Sequence, residues 1–95
     1  MSMLVRFAPH SLSAEQYDGT IRELNEAGDF PPDGMELHVC FGSGDGDLRI
    51  SEIWESKEKF EAFGLRLMPV LGKARIIPGE PEILEILEIH NMIQP

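Results

Sequence analysis

Along residues 3–8, MLVRFA, the odd positions Met3, Val5 and Phe7 are apolar and fall on one side of an extended chain. That alternation predicts a half-buried strand, and Pro9 closes it. The period then changes. Ser13 stands three residues before Gln16, the spacing at which a serine hydroxyl and a glutamine side chain satisfy each other's backbone N–H groups at a helix start. Tyr17, Ile21 and Leu24 follow at helical intervals, with the small Thr20 on the same stripe. Gly28 and the run Pro31-Pro32-Asp33-Gly34 end this helix and turn the chain.

Alternation returns in MELHVCF (35–41), where Met35, Leu37, Val39 and Phe41 share a phase. SGDGD (43–47) is turn chemistry, and LRISEIWE (48–55) is a return strand, so 35–55 reads as a β-hairpin. A turn that pairs Phe41 with Leu48 sets Val39 against Ile50 and Met35 near Trp54. In that register Leu48, Ile50 and Trp54 share the apolar face of the hairpin. Glu52 falls on the same face, which is unexpected for a carboxylate.

Ser56 is placed to cap a second helix, whose Phe60, Phe63, Leu67 and Leu71 recur at three- and four-residue intervals. Pro69 is expected to kink it or end its regular part. Residues 77–81, IPGEP, read as a loop. EILEILEIH (82–90) fits a helical repeat almost as well as an alternation. Its shortness, its bounding prolines and the need of the other elements for a fourth strand favour a strand.

The order βαββαβ is that of an α+β, ferredoxin-like domain over residues 1–95: a four-stranded antiparallel sheet with two helices on one face. The strands also carry apolar residues in the other phase, counted here as Leu4, Cys40, Ile53, Leu84 and Ile86. An uncovered apolar sheet face is a liability, and its simplest cover is the same face of a second copy. A homodimer through the open sheet face is therefore expected. Ninety-five residues make a thin core, which a dimer would supplement.

Charge narrows the partners. With 17 acidic against 8 basic residues, net −9, the chain repels phosphate backbones and anionic lipid, so neither nucleic acid nor a membrane is expected. No run has the length of a membrane span, and MSMLVRFAPH has no signal-peptide pattern. The lone Cys40 has no intramolecular partner and reads as a small buried hydrophobe in a reducing, cytoplasmic compartment.

Trp54 either fills the gap between strand and helix or lines a pocket, two roles an indole can combine. Glu52 is a general base if desolvated on its apolar face, or an edge carboxylate paired with Arg6 or Arg49. His38 shares its phase with Cys40, which turns it toward the dimer face or an edge; proton transfer is its functional reading. Tyr17 presents its hydroxyl to a pocket, or packs in the core with the hydroxyl at the rim. His10, His38 and His90 have no metal-ligand spacing, and no metal or other cofactor is expected. The acidic glycine run 42–47 lacks the spacing of a calcium loop, and no phosphate-binding loop or nucleophilic triad is present.

Ile53-Trp54-Glu55-Ser56 leading into Glu58, Phe60 and Phe63, with His90-Asn91 after the last strand, resembles the dimeric α+β barrel superfamily, and within it the antibiotic-biosynthesis-monooxygenase-like branch. The resemblance implies two sheets packed face to face and a small-molecule pocket between each sheet and its helices. It also implies that Trp54 lines that pocket. The haem-degrading type carries a histidine on the second helix and an asparagine on the first strand; residues 57–75 contain no histidine and 3–8 no asparagine. The quinone-forming oxygenases use tyrosine, asparagine and arginine beside the tryptophan, and Tyr17 and Arg6 are counterparts by residue type alone.

Two functions follow as expectations. One is a cofactor-independent, monooxygenase-like enzyme on a small aromatic or enolic compound, with Glu52, His38 or Tyr17 as base and Trp54, Phe60 and Phe63 as wall. The other is a non-catalytic ligand-binding or structural homodimer.

Overall fold

A computed structural model describes residues 2–9, 11–74, 76 and 84–95. Its elements are β1 (Met3–Phe7), α1 (Ala14–Glu26), β2 (Met35–Phe41), β3 (Arg49–Trp54), α2 (Lys57–Lys73) and β4 (Leu84–Glu88). The strands form one antiparallel sheet in the order β2-β3-β1-β4. This is the ferredoxin-like α+β arrangement. The loop expected over 77–81, the first two residues of the predicted last strand and His10 lie outside the described residues.

Local chemistry starts each helix as the spacing predicts. The Gln16 amide donates to Ser13 Oγ at 3.2 Å, and the Ser13 amide donates to Gln16 Oε1 at 3.0 Å. The Lys59 amide donates to Ser56 Oγ at 3.3 Å. Pro69 neither ends nor halts α2, which runs four residues further to Lys73. Pro69 sits on the exposed side of the helix, where the carbonyl that loses its partner can turn to water.

Val5, Ile50, Glu52 and Trp54 project from the sheet toward the helices, where Leu24, Phe63 and Leu71 meet them. Met3 and Phe7 share the face of Val5, as the alternation requires. Burial is nearly complete around Trp54, which has no exposed surface and packs against Phe60 and Phe63 at ring-centroid separations of 5.6 and 5.7 Å. Such contacts add to what area burial alone provides.

The hairpin register differs from the expectation. Met35 does pair with Trp54, but the next pair is Leu37 with Ile53, so Glu36 is an extra residue on β2. This β-bulge shifts all that follows by one. Val39 lies opposite Ser51 instead of Ile50, and Phe41 opposite Arg49 instead of Leu48. Leu48 is not in the strand: it is buried, and its amide donates to the Leu12 carbonyl at 3.1 Å.

Because side chains alternate, a one-residue shift exchanges the faces of the strand. Leu37, Val39 and Phe41, expected in the core, lie on the open face at 47, 41 and 46% exposure. His38 and Cys40, expected on the dimer face or an edge, turn toward the helices, with His38 directly opposite Glu52 and Cys40 opposite Ile50. Ile86 also belongs to the helix-facing side, opposite Val5, so the open face is built from Leu4, Ile53 and Leu87 with the three β2 residues. The Leu84 side chain lies outside the described residues.

Candidate functional site

β2 and β3 present His38 and Glu52 as a cross-strand pair on the helix-covered face, and α1 brings Tyr17 over them. Tyr17 Oη lies 2.6 Å from His38 Nε2, and His38 Nδ1 lies 2.7 Å from Glu52 Oε2. From two residues along β3, Trp54 Nε1–H donates to Glu52 Oε1 at 2.9 Å. Four side chains thus form one hydrogen-bonded line, Tyr17–His38–Glu52–Trp54. Glu52 is 4% exposed and forms no salt bridge with Arg6 or Arg49. Arg6 pairs with Glu85 at 3.5 Å, on the opposite face of β1 from Val5.

With Glu52 as the carboxylate and His38 as the neutral imidazole, the donor inventory assigns the proton positions. An indole N–H only donates, so Glu52 Oε1 accepts. A carboxylate only accepts, so Oε2 takes a proton donated by His38 Nδ1–H. The neutral imidazole then has a bare Nε2, which accepts the Tyr17 O–H. Every polar atom of the line is partnered, and among the described residues no buried side-chain nitrogen or oxygen is orphaned.

Burial pushes the Tyr17 hydroxyl up to about 12, with the nearby charges of Cys40, Glu52 and Asp18 acting in the same direction. Tyr17 is therefore a neutral phenol through the physiological range, a donor and not a tyrosinate base. Burial, then Asp18, also raises the Cys40 thiol above its ordinary value, which holds it as the neutral thiol.

His38 is held on two sides. The Tyr17 ring is nearly parallel to it, at 5.8 Å between centroids and 17° between planes, and Phe30 meets it edge-on at 5.3 Å. The line ends on the wall of a cavity between sheet and helices, where Tyr17, His38 and Glu52 stand among Phe30, Ile50, Phe63 and other apolar side chains. Thr20 also lines it, with its hydroxyl proton given to the Gln16 carbonyl at 2.9 Å. Among the described residues, no lysine or arginine does. The cavity volume is about 40 Å³, within a concavity of about 490 Å³ when its open mouth is included. That is room for a few water-sized molecules; an aromatic ring requires the lining side chains to separate.

Tyr17, His38 and Glu52 are thus brought together, and Phe63 stands beside them on the wall. Trp54 and Phe60 are not lining residues. The alternation gives Trp54 the correct face but places it one step beyond Glu52, in the packed interior, with Phe60 against it. Phe30 was not singled out, because an aromatic residue before a Pro-Pro turn carries no periodic signal.

No family model matches the sequence, and no curated protein matches it. Among solved structures, the crystal structure of a provisionally assigned antibiotic biosynthesis monooxygenase from Chloroflexus aurantiacus J-10-fl matches over 97% of each chain, with a TM-score of 0.61 and 19% identity. The chain has that protein's fold. The ferredoxin-like α+β fold implied by the element order is therefore present, and at this identity the likeness is one of fold.

Proposed function

We propose that this protein binds a small aromatic or enolic compound in the cavity between sheet and helices and draws a proton from it, as a cofactor-independent, monooxygenase-like enzyme. The observation that carries the reading is the Tyr17–His38–Glu52 line ending on an apolar wall. A basic imidazole nitrogen backed by a buried carboxylate is a proton acceptor of fixed orientation. The substrate hydroxyl takes the place of Tyr17 at His38 Nε2, and the neutral phenol of Tyr17 then donates to the developing oxyanion. The electron-rich carbon so formed meets oxygen directly. One oxygen atom ends as a carbonyl on that carbon and the other as water, with both hydrogens supplied by the substrate.

The ligand class follows from charge. Among the described residues the wall carries Glu52 and no lysine or arginine, which favours a neutral compound with a weakly acidic hydroxyl over a carboxylate or phosphate.

The working unit is proposed to be a homodimer in a reducing compartment, joined through the open sheet face. The exposure of Leu37, Val39, Phe41 and Leu87 supports this, with Leu37, Ile53, Leu4 and Leu87 forming one apolar row across the sheet of a small acidic chain. Among the described residues no helix is long and apolar enough to cross a membrane.

A non-catalytic ligand-binding or structural dimer is the second reading, favoured by the small closed volume and by the fully partnered state of the line. Native mass spectrometry of the freshly purified protein separates the two. A releasable aromatic compound, whose oxygen-dependent turnover is lost in a folded Glu52→Gln variant, supports the enzyme. Equal turnover in the variant removes it, and a clean dimer with no compound favours the second reading.

A further inference from the structure

We infer that Trp54 is the positioning residue of the site: its indole N–H, by occupying one oxygen of Glu52, commits the other oxygen to His38 Nδ1–H and so keeps His38 Nε2 free to accept a proton. This rests on the proposed role of His38 as proton acceptor. It differs from what the family resemblance implies for Trp54, a ligand wall, because the indole is fully buried behind Glu52 and is not on the cavity surface.

The argument is one of donor counting in a dry site. Glu52 is 4% exposed and has two donors, Trp54 Nε1–H at 2.9 Å and His38 Nδ1–H at 2.7 Å, one on each oxygen. A buried carboxylate is tolerated when its oxygens are hydrogen-bonded. Removing the indole donor leaves Oε1 bare in the core. The pair can quiet that charge by taking up a proton, and a protonated carboxyl can donate to His38 Nδ1. The imidazole proton then resides on Nε2, and Tyr17 Oη, which until then gave its proton to Nε2, accepts one from it. The same three groups stay hydrogen-bonded, but the direction of every proton along the line is reversed, and the nitrogen facing the cavity is no longer a base.

The experiment is long-range ¹H–¹⁵N correlation of the histidine ring nitrogens at neutral pH, with the His38 signals assigned by their loss in His38→Gln. The wild-type protein is expected to show a protonated Nδ1 and a bare Nε2. In Trp54→Phe, which keeps an aromatic ring against Phe60 and Phe63 but has no N–H, the Nε2 signal is expected to move toward the protonated value while circular dichroism is unchanged. If Trp54→Phe does not fold, replacement of the indole by its benzothienyl isostere, sulfur for N–H, makes the same deletion at constant shape. Wild-type ring signals that persist in either folded variant overturn the inference and leave Trp54 a space-filling residue. A wild-type His38 with its proton already on Nε2 overturns the proton-acceptor reading itself, so the two failures are distinguishable.

Discussion

His38 Nδ1 and Glu52 Oε2 face each other at 2.7 Å across the β2–β3 ladder, the imidazole half-buried and the carboxylate almost wholly so. A charged group in this position is stable because it is bonded, not because it is placed near an opposite charge at the surface. The consequences of that pairing can be measured.

Glu52→Gln retains the shape of the side chain but offers one acceptor where two donors converge. Either Trp54 Nε1–H or His38 Nδ1–H then meets an amide N–H₂, unless the imidazole proton moves. The expected cost is about 1–3 kcal/mol of folding stability. Urea denaturation followed by the fluorescence of Trp54, the single tryptophan, measures it. A change within about 0.5 kcal/mol, the scale of an ordinary surface substitution, would show that the carboxylate is not held as described.

Tyr17 is the single tyrosine, so the ultraviolet absorbance of tyrosinate reports it alone. Its midpoint is expected near 12 in the folded protein, against the ordinary value of 10.0, so long as the fold survives. The sign of the linked stability follows. Between these two values the unfolded chain has released the phenolic proton while the folded chain still holds it, so stability contributed below the lower value is lost as pH rises toward the upper one. A midpoint at the ordinary value would mean that the Tyr17 hydroxyl is not buried as described.

Phe63 fills the interior, at 2% exposure, and also lines the cavity. Phe63→Ala is expected to lower stability by about 3–5 kcal/mol. The same change enlarges the cavity, so affinity for a neutral naphthol, read by chemical-shift perturbation at Tyr17 and His38, is expected to rise as stability falls. A drop in both would place naphthol binding elsewhere.

On the open face, Val39 is 41% exposed and paired with Ser51. A lysine there introduces a charge into the face proposed to meet its two-fold copy. Light scattering is expected to give the mass of two chains for the wild type and of one for Val39→Lys, with the subunit's circular dichroism retained at high concentration. A wild-type monomer would remove the dimer from the proposal.

Most of the elements were legible in the sequence from local physics, while the last strand was legible only through the need of the others for a fourth. The Ser13–Gln16 capping box, the 3.6-residue stripe from Tyr17 to Leu24, the alternation of Met3, Val5 and Phe7 and the Ser56 cap are satisfied within a few residues of themselves. The site was legible only as residue types. Glu52 stood out as a carboxylate on an apolar face, but its partner was assigned to the wrong side of the sheet. The alternation of MELHVCF has apolar residues at Met35, Leu37, Val39 and Phe41, and by itself it turns those residues inward and His38 outward.

What reverses that choice is the single extra residue at Glu36 between the Met35–Trp54 and Leu37–Ile53 pairs. A strand has a period of two, so one inserted residue exchanges its faces, and local pattern does not record which partner atoms the exchange satisfies. Tertiary structure decided it. With the bulge, His38 meets Glu52 and Tyr17 in the covered interior, and Leu37, Val39 and Phe41 are left on the open face. Caps, helical stripes and strand alternation are legible because they rest on residues close along the chain. The site and the exposed face depend on contacts between β2, β3 and α1, and only the packing of those three elements brought them about.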